Sequence, residues 1–97
     1  MNLSATDIAI LQTFFSSKPV KNAYIFGSYA RNEANNGSDI DILVELDYSK
    51  HIGLGFVQMQ LDLEEMLHKK IDLVSAKGLS PHIAPFIHRD KKLIYAK

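Results

Sequence analysis

Residues 23–44 read Ala23-Tyr24-Ile25-Phe26-Gly27-Ser28-Tyr29-Ala30-Arg31-Asn32-Glu33-Ala34-Asn35-Asn36-Gly37-Ser38-Asp39-Ile40-Asp41-Ile42-Leu43-Val44, and the order of residue types in this stretch decides the fold. Ala23 to Phe26 is a short apolar run that predicts a buried strand running straight into Gly27-Ser28. Tyr29 to Ala34 then suits one or two helical turns, and Asn35-Asn36-Gly37-Ser38 is a turn cluster. Asp39 to Leu46 alternates. Ile40, Ile42, Val44 and Leu46 point to one face of a strand, and Asp39, Asp41, Leu43 and Glu45 to the other.

Before this stretch, a helix is expected from about residue 5 to 15. Ser4 or Thr6 can cap it, Asp7 sits in its first turn, and Ile8, Leu11, Phe14 and Phe15 form its apolar stripe. Lys18-Pro19 ends it, because a residue before proline avoids the α region. After it, residues 56 to 69 read as a helix with Phe56, Met59, Leu63, Met66 and Leu67 on one face and Glu65/Lys69 as an i, i+4 pair. Ile71 to Ser75 is a further strand. Ser80-Pro81 signals a helix start, Pro85 should keep that helix short, and Lys92 to Tyr95 closes the chain as an edge strand. The expected architecture is a single α+β (mixed α/β) domain over 1–97, with a small mixed sheet of about four strands backed by helices.

Composition narrows the function. The 97 residues carry 11 Lys+Arg and 11 Asp+Glu, a formal net charge of zero that argues against stable binding to nucleic acid through a basic field. Zero cysteines exclude a disulfide framework, a thiolate metal site and a cysteine nucleophile. No apolar run approaches the ~20 residues of a membrane span. MNLSATDIAI lacks the basic and apolar regions of a secretory signal, so the cytoplasm is the expected compartment. His51, His68, His82 and His88 show no metal-ligand spacing.

The chemistry lies in Gly27-Ser28 and Asp39-Ile40-Asp41, with Asp72 on a later strand. Two aspartates at i and i+2 share one face of a strand with Cα atoms about 6.5 Å apart. Such carboxylates can reach two hard cations ~3.5–4 Å apart, and Mg²⁺ suits oxygen donors while leaving positions for substrate phosphates. Asp72 has the same parity on its own strand and joins the patch if the two strands are neighbours. Like charges so close repel, which makes the patch reasonable chiefly when metal occupies it. Glycine lets backbone approach a phosphate, the Ser28 hydroxyl extends that anion site, and Arg31, one turn on, is placed to reach the same phosphates. Taken singly, an Asp-x-Asp strand is a solvated face, Gly27 a turn residue and Ser28 a cap; together they describe phosphoryl-type transfer from a nucleoside triphosphate.

At GSYARNEANNGSDIDILV (27–44) and KKIDLVS (69–75) the chain resembles the DNA polymerase β-like nucleotidyltransferases, and within them the minimal nucleotidyltransferases that pair with HEPN-domain proteins in bacterial and archaeal toxin–antitoxin systems. The resemblance covers about 23–95. It implies that Gly27 and Ser28 bind the triphosphate of ATP, that Asp39, Asp41 and Asp72 are the catalytic and metal-binding set for two Mg²⁺, and that Asp72 helps activate the attacking hydroxyl. It departs from the family at Tyr29, where Arg is frequent, and at Asn32, where Gly is frequent. Altered phosphate or partner contacts are expected there, with the chemistry intact.

The reading that follows is a Mg²⁺-dependent nucleotidyltransferase moving AMP onto a hydroxyl of a HEPN ribonuclease toxin and thereby neutralising it. A chain of this size has no second domain to hold an acceptor, which favours one presented by another macromolecule. Two rivals stay open from the sequence: an aminoglycoside-like small-molecule adenylyltransferase that would need a dimer to build its pocket, and an antitoxin acting by binding alone. Whether the chain forms a homodimer or a hetero-oligomer also stays open.

Overall fold

A computed structural model describes residues 3–97 and places four strands in one sheet in the order β3-β2-β1-β4. The elements follow as α1 (Ala5–Ser16), β1 (Val20–Phe26), α2 (Gly27–Ala30), β2 (Ile40–Leu46), α3 (Gly55–Leu67), β3 (Ile71–Ser75), a 3₁₀ turn (Ala76–Gly78), α4 (Ala84–Asp90) and β4 (Lys92–Ala96). β1 pairs antiparallel with both β2 and β4, whereas β2 and β3 run parallel. A parallel pair needs a crossover, and α3 supplies it. The sheet is mixed and β4 is an edge strand, as expected.

Ser4 caps α1, its Oγ accepting the Asp7 N–H at 3.0 Å, and Leu11, Phe14 and Phe15 are buried. These side chains meet Ile40, Ile42 and Val44 from β2, Leu63 from α3 and Ile71 from β3 in one core on the inner face of the sheet. Phe15 packs on Tyr95 with ring centroids 6.1 Å apart, and the Gln12 side-chain amide donates to the Ile94 carbonyl at 3.0 Å, which ties α1 to β4. α3 guards the outer edge of β3. Glu64 accepts from the Ile71 N–H at 3.1 Å and Gln60 from the Leu73 N–H at 3.4 Å, pairing donors that an edge strand would otherwise expose.

Several boundaries differ from the sequence reading, each for a local reason. β1 begins at Val20 instead of residue 23, because a register shift between Val20 and Asn22 interrupts the alternation that would have announced it. α2 starts at Gly27 itself and is short: Asn32 adopts φ 62°, and the left-handed residue stops the helix. β2 begins at Ile40, leaving Asp39 just outside. α3 ends at Leu67, since His68 takes φ 54° and its N–H bonds to the Glu64 carbonyl at 2.9 Å. Lys69 therefore lies beyond the helix and is not an i+4 partner of Glu65. Met66 is 44% exposed, while Met59, Leu63 and Leu67 form the buried face. Pro81 sits in a turn and α4 starts at Ala84, with Pro85 in the first helical turn, where a missing N–H costs nothing. Among the described residues no helix is long and apolar enough to cross a membrane.

Candidate active site

The candidate site residues lie on the outer face of the sheet. Phe26 at the end of β1 is the register partner of Asp41 on β2, and Asp41 is the register partner of Asp72 on β3. Residues paired across strands project to the same side, so the two carboxylates stand next to each other. Asp41 is half-buried and Asp72 exposed. Burial, the charges of Asp72 and Asp39 and a hydrogen bond shared with Asp72 push the Asp41 carboxyl up to about 6, while Arg31 pulls the other way. Asp39, one residue before β2, acts on the pair through its charge. Among the described residues no three acidic or histidine side chains converge into a ready-made metal cage.

Gly27 lies directly against this pair. It takes φ +70°, and a Cβ there would collide with the Asp41 carboxylate. Only glycine satisfies both demands. The chain then turns into α2, bringing Ser28 to the same corner, with the Ser28 carbonyl accepting the Glu33 N–H at 2.8 Å. Tyr29 is buried at 3% exposure and belongs to the core, so it is not offered to a base. Asn32 occupies a left-handed conformation that glycine enters freely and that asparagine tolerates better than most residues, so the expected departure from glycine at this position is conformationally mild.

Arg31 caps the end of α2 and is ion-paired. Its Nη1 donates to Asp90 Oδ2 at 2.9 Å and its Nε to Glu33 Oε2 at 3.3 Å. The sequence reading missed Asp90, which no local pattern connects to a residue 59 positions earlier. It also missed the row beside the carboxylates. Leu93, Tyr24, Leu43 and Val74 are successive register partners across all four strands, and Leu43 is two residues from Asp41. Tyr24 donates its hydroxyl to Glu45 at 2.8 Å, and the Lys91 ammonium sits 4.4 Å from its ring centroid. The parity shared by Asp41, Leu43 and Glu45 was the available signal. The structure thus gathers Gly27, Ser28, Asp39, Asp41 and Asp72 at one end of the outer face, with Arg31 at its margin. The larger cleft at the other end of β2, about 440 Å³ and lined by Tyr48, Lys77 and Lys21 among others, lies apart from this chemistry.

Comparison with known proteins bears on the family and the fold. A family model described as polymerase beta, nucleotidyltransferase, matches residues 8–97. A candidate protein adenylyltransferase of Methanocaldococcus jannaschii is 48% identical over 62 residues, covering 64% of this chain and 66% of that protein. The chain thus spans just under two thirds of that relative. The protein adenylyltransferase MntA of Thermococcus cleftensis is 37% identical over 71 residues, covering 73% of this chain and 71% of that one. Among solved structures, a toxin–antitoxin with AMP-PNP superposes with a TM-score of 0.78 at 21% identity, over 98% of this chain and 75% of that chain. A tri-AMPylated Shewanella oneidensis HEPN toxin in complex with its MNT antitoxin gives 0.73 at 18% identity, over 95% and 71%. At those identities the two structures speak for the fold. The family match over nearly the whole chain goes further: this protein belongs to the polymerase β-type nucleotidyltransferases.

Proposed function

We propose that the chain is a protein adenylyltransferase that moves AMP from ATP to a hydroxyl on a HEPN-type toxin and so acts as its antitoxin, in the cytoplasm where both would meet. The observation that carries this is the lateral pairing of Asp41 and Asp72 beside Gly27 on an outer sheet face. Support for the protein acceptor comes from the relatives named protein adenylyltransferase and from the structural neighbour whose HEPN toxin is AMPylated. That neighbour disfavours a small-molecule acceptor and binding alone as readings of the family. ATP as donor is supported by the AMP-PNP bound in a second neighbour.

The residues fit Mg²⁺. The donors are all carboxylate oxygens, and burial together with the charges of Asp72 and Asp39 holds the Asp41 carboxyl up near 6, a penalty on its ionised form that a hard cation would relieve. Asp39, Asp41 and Asp72 would hold it, in a site for two ions. When bound, Mg²⁺ would supply charge neutralisation for the triphosphate and would lower the pKa of the acceptor hydroxyl. Gly27 and Ser28 cradle the phosphates at the strand-to-helix turn. The acceptor oxygen attacks the α-phosphorus, forming a new P–O ester bond as the bond to the β-phosphate oxygen breaks. Pyrophosphate leaves, and the hydroxyl proton passes to Asp72, whose exposed carboxylate an incoming acceptor can reach.

The test is co-expression with the product of the neighbouring gene, followed by the intact mass of that protein. Whole-AMP increments should appear with the wild type and vanish when Asp39 and Asp41 are both changed to Asn. An unmodified partner that still co-purifies would replace this reading with an antitoxin acting by binding. Neither increment nor complex would return the small-molecule reading.

A further inference from the structure

Arg31 leaves α2 at its last turn, where its backbone N–H bonds to the Gly27 carbonyl at 3.1 Å. Its side chain is long and 43% exposed, so on its own it would sample many rotamers. Asp90 removes that freedom. This carboxylate is only 13% exposed, stands at the last residue of α4, and receives two guanidinium groups: Arg31 Nη1 on Oδ2 at 2.9 Å and Arg89 Nε on Oδ1 at 3.3 Å. α4 is itself anchored by buried Ile87. Glu33, at 63% exposure, can add little to the restraint.

The direction of the fork matters. With Nε on Glu33 and Nη1 on Asp90, Arg31 keeps Nη2 without a protein partner among the described residues. The guanidinium is also close enough to Asp41 to pull its carboxyl downward against the other influences on it. A planar fork with two edges fixed and one donor group free, one turn from Gly27-Ser28, suits a phosphate oxygen.

We infer that Asp90 is a positioning residue for nucleotide binding: it fixes the Arg31 guanidinium at the margin of the Gly27-Ser28 corner so that Nη2 meets the triphosphate, making α4 a working part of the site. This rests on the proposed nucleotide site and adds to it a residue from an element that carries none of the carboxylates. Asp90 touches neither nucleotide nor acceptor and acts through Arg31 alone.

The experiment is a calorimetric titration of AMP-PNP with Mg²⁺ into the full chain, its Asp90→Asn, Asp90→Glu and Arg31→Ala variants and the Arg31→Ala/Asp90→Asn double variant, with Tm recorded for each. Asp90→Asn should weaken binding about tenfold, the scale of one charge-assisted contact. Asp90→Glu should recover most of that loss. The double variant should bind no worse than Arg31→Ala, since a residue acting through Arg31 has nothing left to position. Unchanged or tighter binding in Asp90→Asn would overturn the inference, because Asp90 would then be idle or competing with phosphate for Arg31. Losses that add in the double variant would overturn it too, as would a lowered Tm with binding that Asp90→Glu fails to restore. A wild-type chain that does not bind AMP-PNP would instead overturn the nucleotide-site reading on which the inference rests.

Discussion

Asp41 on β2 and Asp72 on β3 are direct register partners across the parallel strand pair of the sheet, and burial together with the Asp72 charge holds the Asp41 carboxyl well above its ordinary range. Two acids in contact cannot both be ionised at low cost without a cation. Burial and neighbouring charge thus both penalise the ionised form of Asp41, and a bound cation would relieve that penalty.

Gly27→Ala should damage both fold and site. The added Cβ meets the Asp41 carboxylate, and φ +70° disfavours any residue with a side chain. The left-handed conformation alone costs about 1–2 kcal/mol. A thermal melt should show Tm lower by roughly 4–8 °C per kcal/mol in a domain of this size. A variant with wild-type Tm and wild-type nucleotide affinity would show that the Gly27–Asp41 approach is dispensable.

The raised Asp41 carboxyl has a pH signature in metal-free protein. Its folded value of about 6 lies above the ordinary 3.8, so the folded state holds the proton more tightly than the unfolded chain. The resulting stability is fully present below the ordinary value and is lost as pH rises through about 6. Asp41→Asn removes this dependence. In EDTA, the Tm of Asp41→Asn minus that of the wild type should grow from pH 4 to pH 7 and then level off. A difference that stays flat would place Asp41 in an ordinary solvated setting.

Mg²⁺ should reverse that deficit. A cation that binds only the folded state raises Tm with concentration. The wild type should gain stability with millimolar Mg²⁺ at pH 7.5, and the Asp39→Asn/Asp41→Asn double variant should gain none. Equal gains in both would locate the cation elsewhere.

Asp72→Asn tests the acceptor side separately. The carboxylate is exposed and its charge repels Asp41, so its loss should hold or raise the Tm of the metal-free protein, not lower it. AMP transfer to the partner should fall by at least ~10², the scale of a lost general base. Affinity for AMP-PNP should change far less than the rate. Transfer retained at wild-type speed would remove Asp72 from the proton pathway.

Much of the fold could be read locally. The period of two in Ile40, Ile42, Val44 and Leu46 and the helical stripe of Leu11, Phe14 and Phe15 report burial on one side of one element, and both sets are buried. Breaks in that periodicity concealed what it could not encode. The register shift near Val20 delayed the apparent start of β1, and the helix expected to begin at Ser80-Pro81 begins instead at Ala84, with Pro85 in its first turn.

From the amino-acid order alone came the α+β class, the parity that sets Asp41 opposite the core face of β2, and the glycine at a strand end, because strand parity and turn chemistry act over a few residues. Three relationships were decided by tertiary structure: Asp72 beside Asp41, Asp90 beneath Arg31, and the apolar row from Leu93 through Tyr24 and Leu43 to Val74. Each depends on which strands pair, in which direction and register. That choice is made by burying α1 and α3 against one face of the sheet, a property of the whole core that no short stretch of the chain contains.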